Sequence, residues 1–95
     1  MLELITLVIY DISDDDLRLR VAKFLKRMGL NRIQRSAFAG SLTSAQRAEV
    51  EAGLRRLVHG RNDVNIQIYP LTPASYSQRV MIGVELKYED EELLI

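Results

Sequence analysis

Apolar positions along this chain follow two rhythms, one of period two and one of period three to four. From residue 2 to 11, one side carries Leu2, Leu4, Thr6, Val8 and Tyr10, and the other Glu3, Ile5, Leu7, Ile9 and Asp11. Both sides are apolar in the middle, which predicts a central strand covered on both faces. The strand delivers one carboxylate, Asp11, to its carboxyl end, where open sheets usually keep their chemistry. The rhythm then changes. Leu17, Val21, Phe24, Leu25 and Met28 recur at helical spacing. Ser13 reads as the N-cap of that helix, with Asp16 close to the capping-box position. Asp14, Asp15 and Asp16 occupy the first turn, where the helix dipole favours negative charge. Gly29 is a natural stop after Met28.

Residues 31–40 are a second β region. Arg32, Gln34, Ser36 and Phe38 alternate with Ile33, Arg35, Ala37 and Ala39. The pattern fits one strand weakly and two short strands, with a turn or bulge near Arg35 and Ser36, equally well. Its basic and aromatic side chains suit nucleic acid, and they equally suit an edge strand protected by charge. Thr43 and Gln46 predict a capping box for a second helix. Its buried stripe is Val50, Leu54, Leu57 and Val58, extended by Ala48, and Glu51 with Arg55 forms an exposed i,i+4 pair. His59, the only histidine, sits in the last turn before Gly60, where a cation suits the dipole.

Residues 63–71 alternate cleanly, with Val64, Ile66 and Ile68 on one side and Asn65, Gln67 and Tyr69 on the other. Pro70 and Pro73 end that strand. Residues 72–78 read as a polar loop, and Arg79 to Leu86 as a last strand with Val80, Ile82, Val84 and Leu86 on one side. The order is strand, helix, short strands, helix, strand, strand. It predicts an α+β ferredoxin-like sandwich over residues 1–87, an antiparallel sheet with two helices on one face. Residues 88–95 form an acidic tail with an apolar end, expected to dock on a partner subunit. The first strand needs cover on its second face, and a second copy related by a two-fold axis is the simplest source.

Composition sharpens this picture in three places. Ninety-five residues without a cysteine make one domain with a thin core, no disulfide and no thiolate site. No apolar run reaches the roughly 20 residues of a membrane span and no signal-peptide pattern opens the chain, so a cytoplasmic protein without a membrane partner is expected. The zero net charge hides an asymmetry. Residues 1–80 hold 12 Lys and Arg against 8 acids, and residues 81–95 one Lys against five. Ten of the 13 cations are Arg, the side chain suited to forked phosphate contacts.

Most catalytic constellations are excluded. There is no Gly-rich phosphate loop and no nucleophile elbow, and one histidine without cysteine cannot build a zinc site. Oxygen chemistry at Asp11 remains. One carboxylate is a poor magnesium site, but a dimer axis near the strand ends would bring two copies of Asp11 together around one ion. The alternative is that Asp11 only caps a turn.

Several blocks together are specific. Ile9-Tyr10-Asp11-Ile12-Ser13-Asp14-Asp15, then Leu17-Arg18-Leu19-Arg20-Val21-Ala22-Lys23-Phe24-Leu25, Gly29-Leu30-Asn31-Arg32-Ile33-Gln34-Arg35-Ser36-Ala37-Phe38 and Ile68-Tyr69-Pro70-Leu71 resemble the CRISPR-associated protein family Cas two. The resemblance implies a ferredoxin-like subunit in a symmetric homodimer, whose C-terminal strand packs against the partner's sheet. It implies a part in spacer acquisition, bridging dimers of the Cas-one integrase and gripping duplex DNA. It also implies a magnesium- or manganese-dependent endonuclease of single-stranded RNA or double-stranded DNA. The family's metal-binding aspartate corresponds to Asp11, and its other activity-linked positions to Tyr10, Arg18, Arg20, Arg32 and Phe38. Arg18, Arg20, Arg32 and Arg35 are the expected nucleic-acid contacts, with Tyr10 and Phe38 placing the substrate. A non-catalytic architectural dimer that uses the same arginines is the competing expectation. Two departures stand out. Ala39 replaces a frequent glutamate, so no second metal ligand is expected near Phe38, and Gln67 replaces a frequent arginine.

Overall fold

The computed structural model describes residues 3–87 and has the element order β1 (Leu4–Ile12), α1 (Asp15–Arg27), β2 (Asn31–Gln34), β3 (Ala37–Leu42), α2 (Ser44–Leu57), β4 (Val64–Leu71) and α3 (Pro73–Ser77). The four strands form one sheet in the order β2-β3-β1-β4. Every neighbouring pair is antiparallel. This is the ferredoxin-like topology, with β1 in the interior of the sheet.

The inward face of β1 carries Thr6, Val8, Tyr10 and Ile12, all buried. They pack with Phe38 and Leu42 of β3 against Leu17, Val21 and Leu25 of α1 and Val50 and Leu54 of α2. Ile5, Leu7 and Ile9 point to the other face, which α1 and α2 do not cover, and are only half-buried. β4 repeats the alternation, with Val64, Ile66 and Ile68 packed on the core and Asn65, Gln67 and Tyr69 exposed.

The ends of α1 show local sequence chemistry at work. Asp14, not Ser13, is the N-cap: its side chain accepts from the Leu17 amide at 2.8 Å. An extended β1 runs one residue further than the pattern indicates, to Ile12, and carries the cap along with it. At the other end Met28 is the C-cap, and Gly29 takes φ +93°, a conformation open to a residue without a Cβ. The Gly29 amide donates to Lys26 O and the Leu30 amide to Leu25 O, both at 3.1 Å. This is a Schellman motif with its apolar Leu25–Leu30 contact. α2 has the expected capping box on Thr43 and Gln46.

Residues 31–42 are two short strands with the turn at residues 35–36, as the two-strand reading has it, and a register irregularity lies between Arg32 and Gln34. Other expectations need correction. Ala48 is exposed, and Gly53 fills the buried stripe of α2 instead. Residues 72–78 are not a loop. Thr72 caps α3, accepting from the Ser75 amide at 3.0 Å, and Pro73 starts it with the φ a helix wants. Arg79 to Leu86 joins no sheet. Val80 and Ile82 are 83% and 94% exposed. The apolar alternation is present, but among the described residues no strand pairs with it. Residues 88–95, the expected tail, lie outside the described residues. Among the described residues, no helix is long and apolar enough to cross a membrane.

Candidate functional site

Successive side chains of a strand point to opposite faces. Tyr10 and Asp11 therefore part company. Tyr10 is 6% exposed beneath the helices, while Asp11 is exposed at the end of the uncovered face. Asn65 of β4 stands directly opposite Asp11 in the antiparallel register. On the other side, the Tyr10 amide donates to Ser36 O at 3.0 Å, which sets the Arg35–Ser36 turn against the same end of β1.

The charged groups around this end are mostly committed to one another. Asp14 caps α1. Asp15 pairs with Arg18, and Asp16 with Arg20 at 3.2 Å. Arg18 also donates from Nη1 to Ile12 O at 2.8 Å and to Ser13 O at 3.3 Å. Its guanidinium thus fastens the β1–α1 connection immediately beyond Asp11. Arg61 grips Asp63 with two hydrogen bonds, Nε to Oδ1 at 3.1 Å and Nη2 to Oδ2 at 2.9 Å. The same Nη2 lies 3.7 Å from Asp14 Oδ2. The hydrogen bond from Arg61 holds the Asp63 carboxyl below the usual carboxylate range, and the same bond raises the Arg61 guanidinium above its ordinary value. This clamp ties the start of β4 to the start of α1.

Asp11 is different. Its carboxylate makes no hydrogen bond or ion pair among the described residues. Nor do three His, Cys, Asp or Glu side chains gather there or elsewhere among those residues into a group able to hold a metal. One chain offers a divalent cation a single hard oxygen ligand, with open solvent around it. Magnesium sites use one or two carboxylates, with water and phosphate oxygens completing the shell.

The candidates from the sequence separate into three places. Asp11, Arg18 and the exposed Arg35 share one end of the sheet. Arg20 is on the solvent side of α1, paired with Asp16. Tyr10, Phe38 and Arg32 belong to the helix-covered face. Phe38 is fully buried, its ring 6.4 Å from that of Tyr10, and the Arg32 guanidinium covers it from the sheet edge at 5.0 Å. The Tyr10 hydroxyl reaches Arg35 O at 3.5 Å. Phe38 is fully buried and Tyr10 nearly so, and in this arrangement neither ring stands on the outer face beside Asp11. They support the turn that carries Arg35. Asn65, Arg61 and Asp63 were not singled out for the site. The outward alternation of Asn65 and the Arg-x-Asp spacing were the available signals.

The fold and this strand end define a ferredoxin-like subunit with a lone carboxylate at the exit of its central strand, bordered by arginines. The family described as CRISPR associated protein Cas2 matches residues 4–79, and the chain belongs to that family. A CRISPR-associated endoribonuclease Cas2 of Korarchaeum cryptofilum is 47% identical over 81% of this chain and 82% of its own length. A CRISPR-associated endonuclease Cas1/endonuclease Cas2 fusion of Thermoproteus tenax is 36% identical over 79% of this chain and 33% of its own. Among solved structures, a hypothetical protein of Thermus thermophilus superposes with a TM-score of 0.75 at 30% identity, covering 92% of this chain and 99% of that one.

Proposed function

We propose that this chain works as a symmetric homodimer and a divalent-metal-dependent endonuclease of single-stranded RNA or double-stranded DNA. The observation that carries the reading is Asp11, exposed and uncommitted while the acids after it are held by arginines or a helix cap. The endoribonuclease name of the Korarchaeum relative supports it. Two copies of Asp11 across the two-fold axis would hold Mg2+ or Mn2+, which when bound activates water and offsets charge on the phosphodiester. Arg35 faces the phosphate backbone, and Arg20 joins it on leaving Asp16. Arg18 holds the peptide planes beyond Asp11 in place.

The exposed apolar alternation of Val80, Ile82, Val84 and Leu86 supports the dimer. β4 is an edge strand, and a groove of about 320 Å³ runs beside it, floored by Leu54, Val58, Val64, Ile66 and Ile68. The C-terminal segment of a second copy supplies a strand for that edge.

The deciding experiment is Asp11→Asn in the purified dimer. Magnesium-dependent cleavage of a single-stranded RNA and of a DNA duplex is expected to disappear while the sedimentation profile stays that of the parent. Cleavage at the parental rate would overturn the assignment of Asp11.

A second reading is an architectural role in spacer acquisition, as a bridge between dimers of the Cas1 integrase. The commitment of Arg18 and Arg20 to intrachain pairs and the burial of Tyr10 and Phe38 favour it. The fused Cas1 and Cas2 of the Thermoproteus relative supports Cas1 as the partner. Full integration activity of Asp11→Asn with Cas1 would favour the architectural role, and loss of integration would count against it.

A further inference from the structure

The outer face of β4 carries a polar relay that the proposed chemistry leaves unused. The Tyr69 hydroxyl donates to Gln67 Oε1, and Gln67 Nε2 donates to Asn65 Oδ1 at 3.0 Å. The register sets Tyr69 opposite Leu7, Gln67 opposite Ile9 and Asn65 opposite Asp11. The relay therefore runs along the uncovered face toward the end where Asp11 stands.

Its direction fixes the Asn65 amide. Oδ1 is turned back toward Gln67, and the two polar atoms of an amide diverge from one carbon, so Nδ2 faces away from Gln67. Asn65 is exposed, and its Nδ2 makes no hydrogen bond among the described residues. Directly opposed residues of an antiparallel pair have Cβ atoms about 4.5–5.5 Å apart. A phosphate group is wide enough to touch both side chains. Asp11 carries the negative charge that suits a cation, and Asn65 carries a neutral donor that can meet a phosphate oxygen.

We propose that Asn65 is a phosphate-binding residue. Its side-chain amide donates to a non-bridging oxygen of a nucleic-acid phosphate seated beside Asp11, and Gln67 with Tyr69 hold that amide in its donating orientation. The inference rests on the nucleic-acid site of the proposed function, but it concerns binding and not cleavage. A neutral donor also leaves a signature distinct from that of an arginine. It releases no counterion, so its loss weakens binding by one factor at every salt concentration.

The test is the affinity of the Asp11→Asn dimer for a fluorescent single-stranded RNA and a DNA duplex, which removes cleavage from the measurement. Adding Asn65→Ala is expected to weaken binding about tenfold, the size of one hydrogen bond to a charged group. The slope of affinity against salt should stay unchanged. Asn65→Ser, which keeps a donor, recovers part of the loss. Gln67→Met frees the amide and gives a smaller loss of the same kind. These positions are exposed in the single chain and lie beside the proposed two-fold axis, so the melting temperature serves as the folding control and the sedimentation profile as the assembly control. Affinity of Asn65→Ala within twofold of its parent would overturn the proposal, and so would a loss that changes the salt slope. Parental affinity for Gln67→Met would overturn the relay. If the wild-type dimer never cleaves with Mg2+ or Mn2+ while Asn65→Ala still binds tenfold more weakly, the nuclease reading fails and Asn65 stands. Cleavage by wild type with parental affinity for Asn65→Ala is the converse.

Discussion

The ring of Phe24 occupies the space that a Cβ at position 53 would need: that point lies 2.1 Å from Phe24 Cζ. α1 and α2 meet here because Gly53 has no side chain. In an exposed helix Gly→Ala gains about 1 kcal/mol from propensity alone. At this contact the displaced ring outweighs that gain, since overpacking costs about 1–3 kcal/mol. Gly53→Ala is expected to lower the urea midpoint. In a Phe24→Ala background the same change should raise it, and a midpoint that moves the same way in both backgrounds would refute the contact.

Arg18 and Arg20 look alike in sequence and differ in structure. Arg18 binds two main-chain carbonyls and is largely buried, whereas among the described residues Arg20 pairs with the exposed Asp16 alone. Arg18→Ala should destabilise the fold by about 1–2 kcal/mol, and Arg20→Ala by less than about 0.5 kcal/mol. Arg20→Ala should instead reduce the salt slope of nucleic-acid binding by about one. Equal unfolding midpoints for the two variants would contradict this division.

The Arg61–Asp63 clamp gives stability a pH dependence of defined sign. Asp63 is more acidic in the folded chain than an ordinary aspartate, because Arg61 donates to its ionised form. Its contribution is therefore complete above the unfolded pKa, about 3.9. It is lost as pH falls through the lower folded value. Wild type should lose stability more steeply below about pH 4 than Asp63→Asn does. Parallel curves of unfolding midpoint against pH for the two proteins would show that the clamp is not formed in solution.

The exposed apolar row of the C-terminal segment should be sensitive to charge only through assembly. Val84 and Ile82 touch little within their own chain, being 78% and 94% exposed. Ile82→Glu with Val84→Glu is expected to convert the proposed dimer to a folded monomer in analytical ultracentrifugation. A dimer mass retained at micromolar concentration would exclude this segment from the interface.

The fold was largely legible because its signals are local. The period-two rows of β1 and β4, the stripe from Leu17 to Met28 and the box on Thr43 and Gln46 each fix an element without reference to the rest. Misreadings arose where a neighbour decides. Ser13 and Asp14 are both good caps, and only the length of β1 chooses between them. Residues 79–86 alternate like a strand, but a strand also needs a pairing edge, and no periodicity reveals which chain supplies it. At the site, Asp11 was legible as the polar end of an apolar strand. The roles of Tyr10 and Phe38 were not, because burial depends on which face the helices cover. Asn65 is a contact of register, set by pairing across 54 positions of sequence.

Tyr10 inside and Asp11 outside make the two faces of β1 inseparable from its length. A point substitution in this strand alters one side chain, but a single inserted or deleted residue before position 10 would exchange the faces. The tyrosine would go to water and the carboxylate beneath the helices. Evolution can therefore vary the composition of residues 4–9 far more freely than their number. Homologous sequences should align through this strand without a gap.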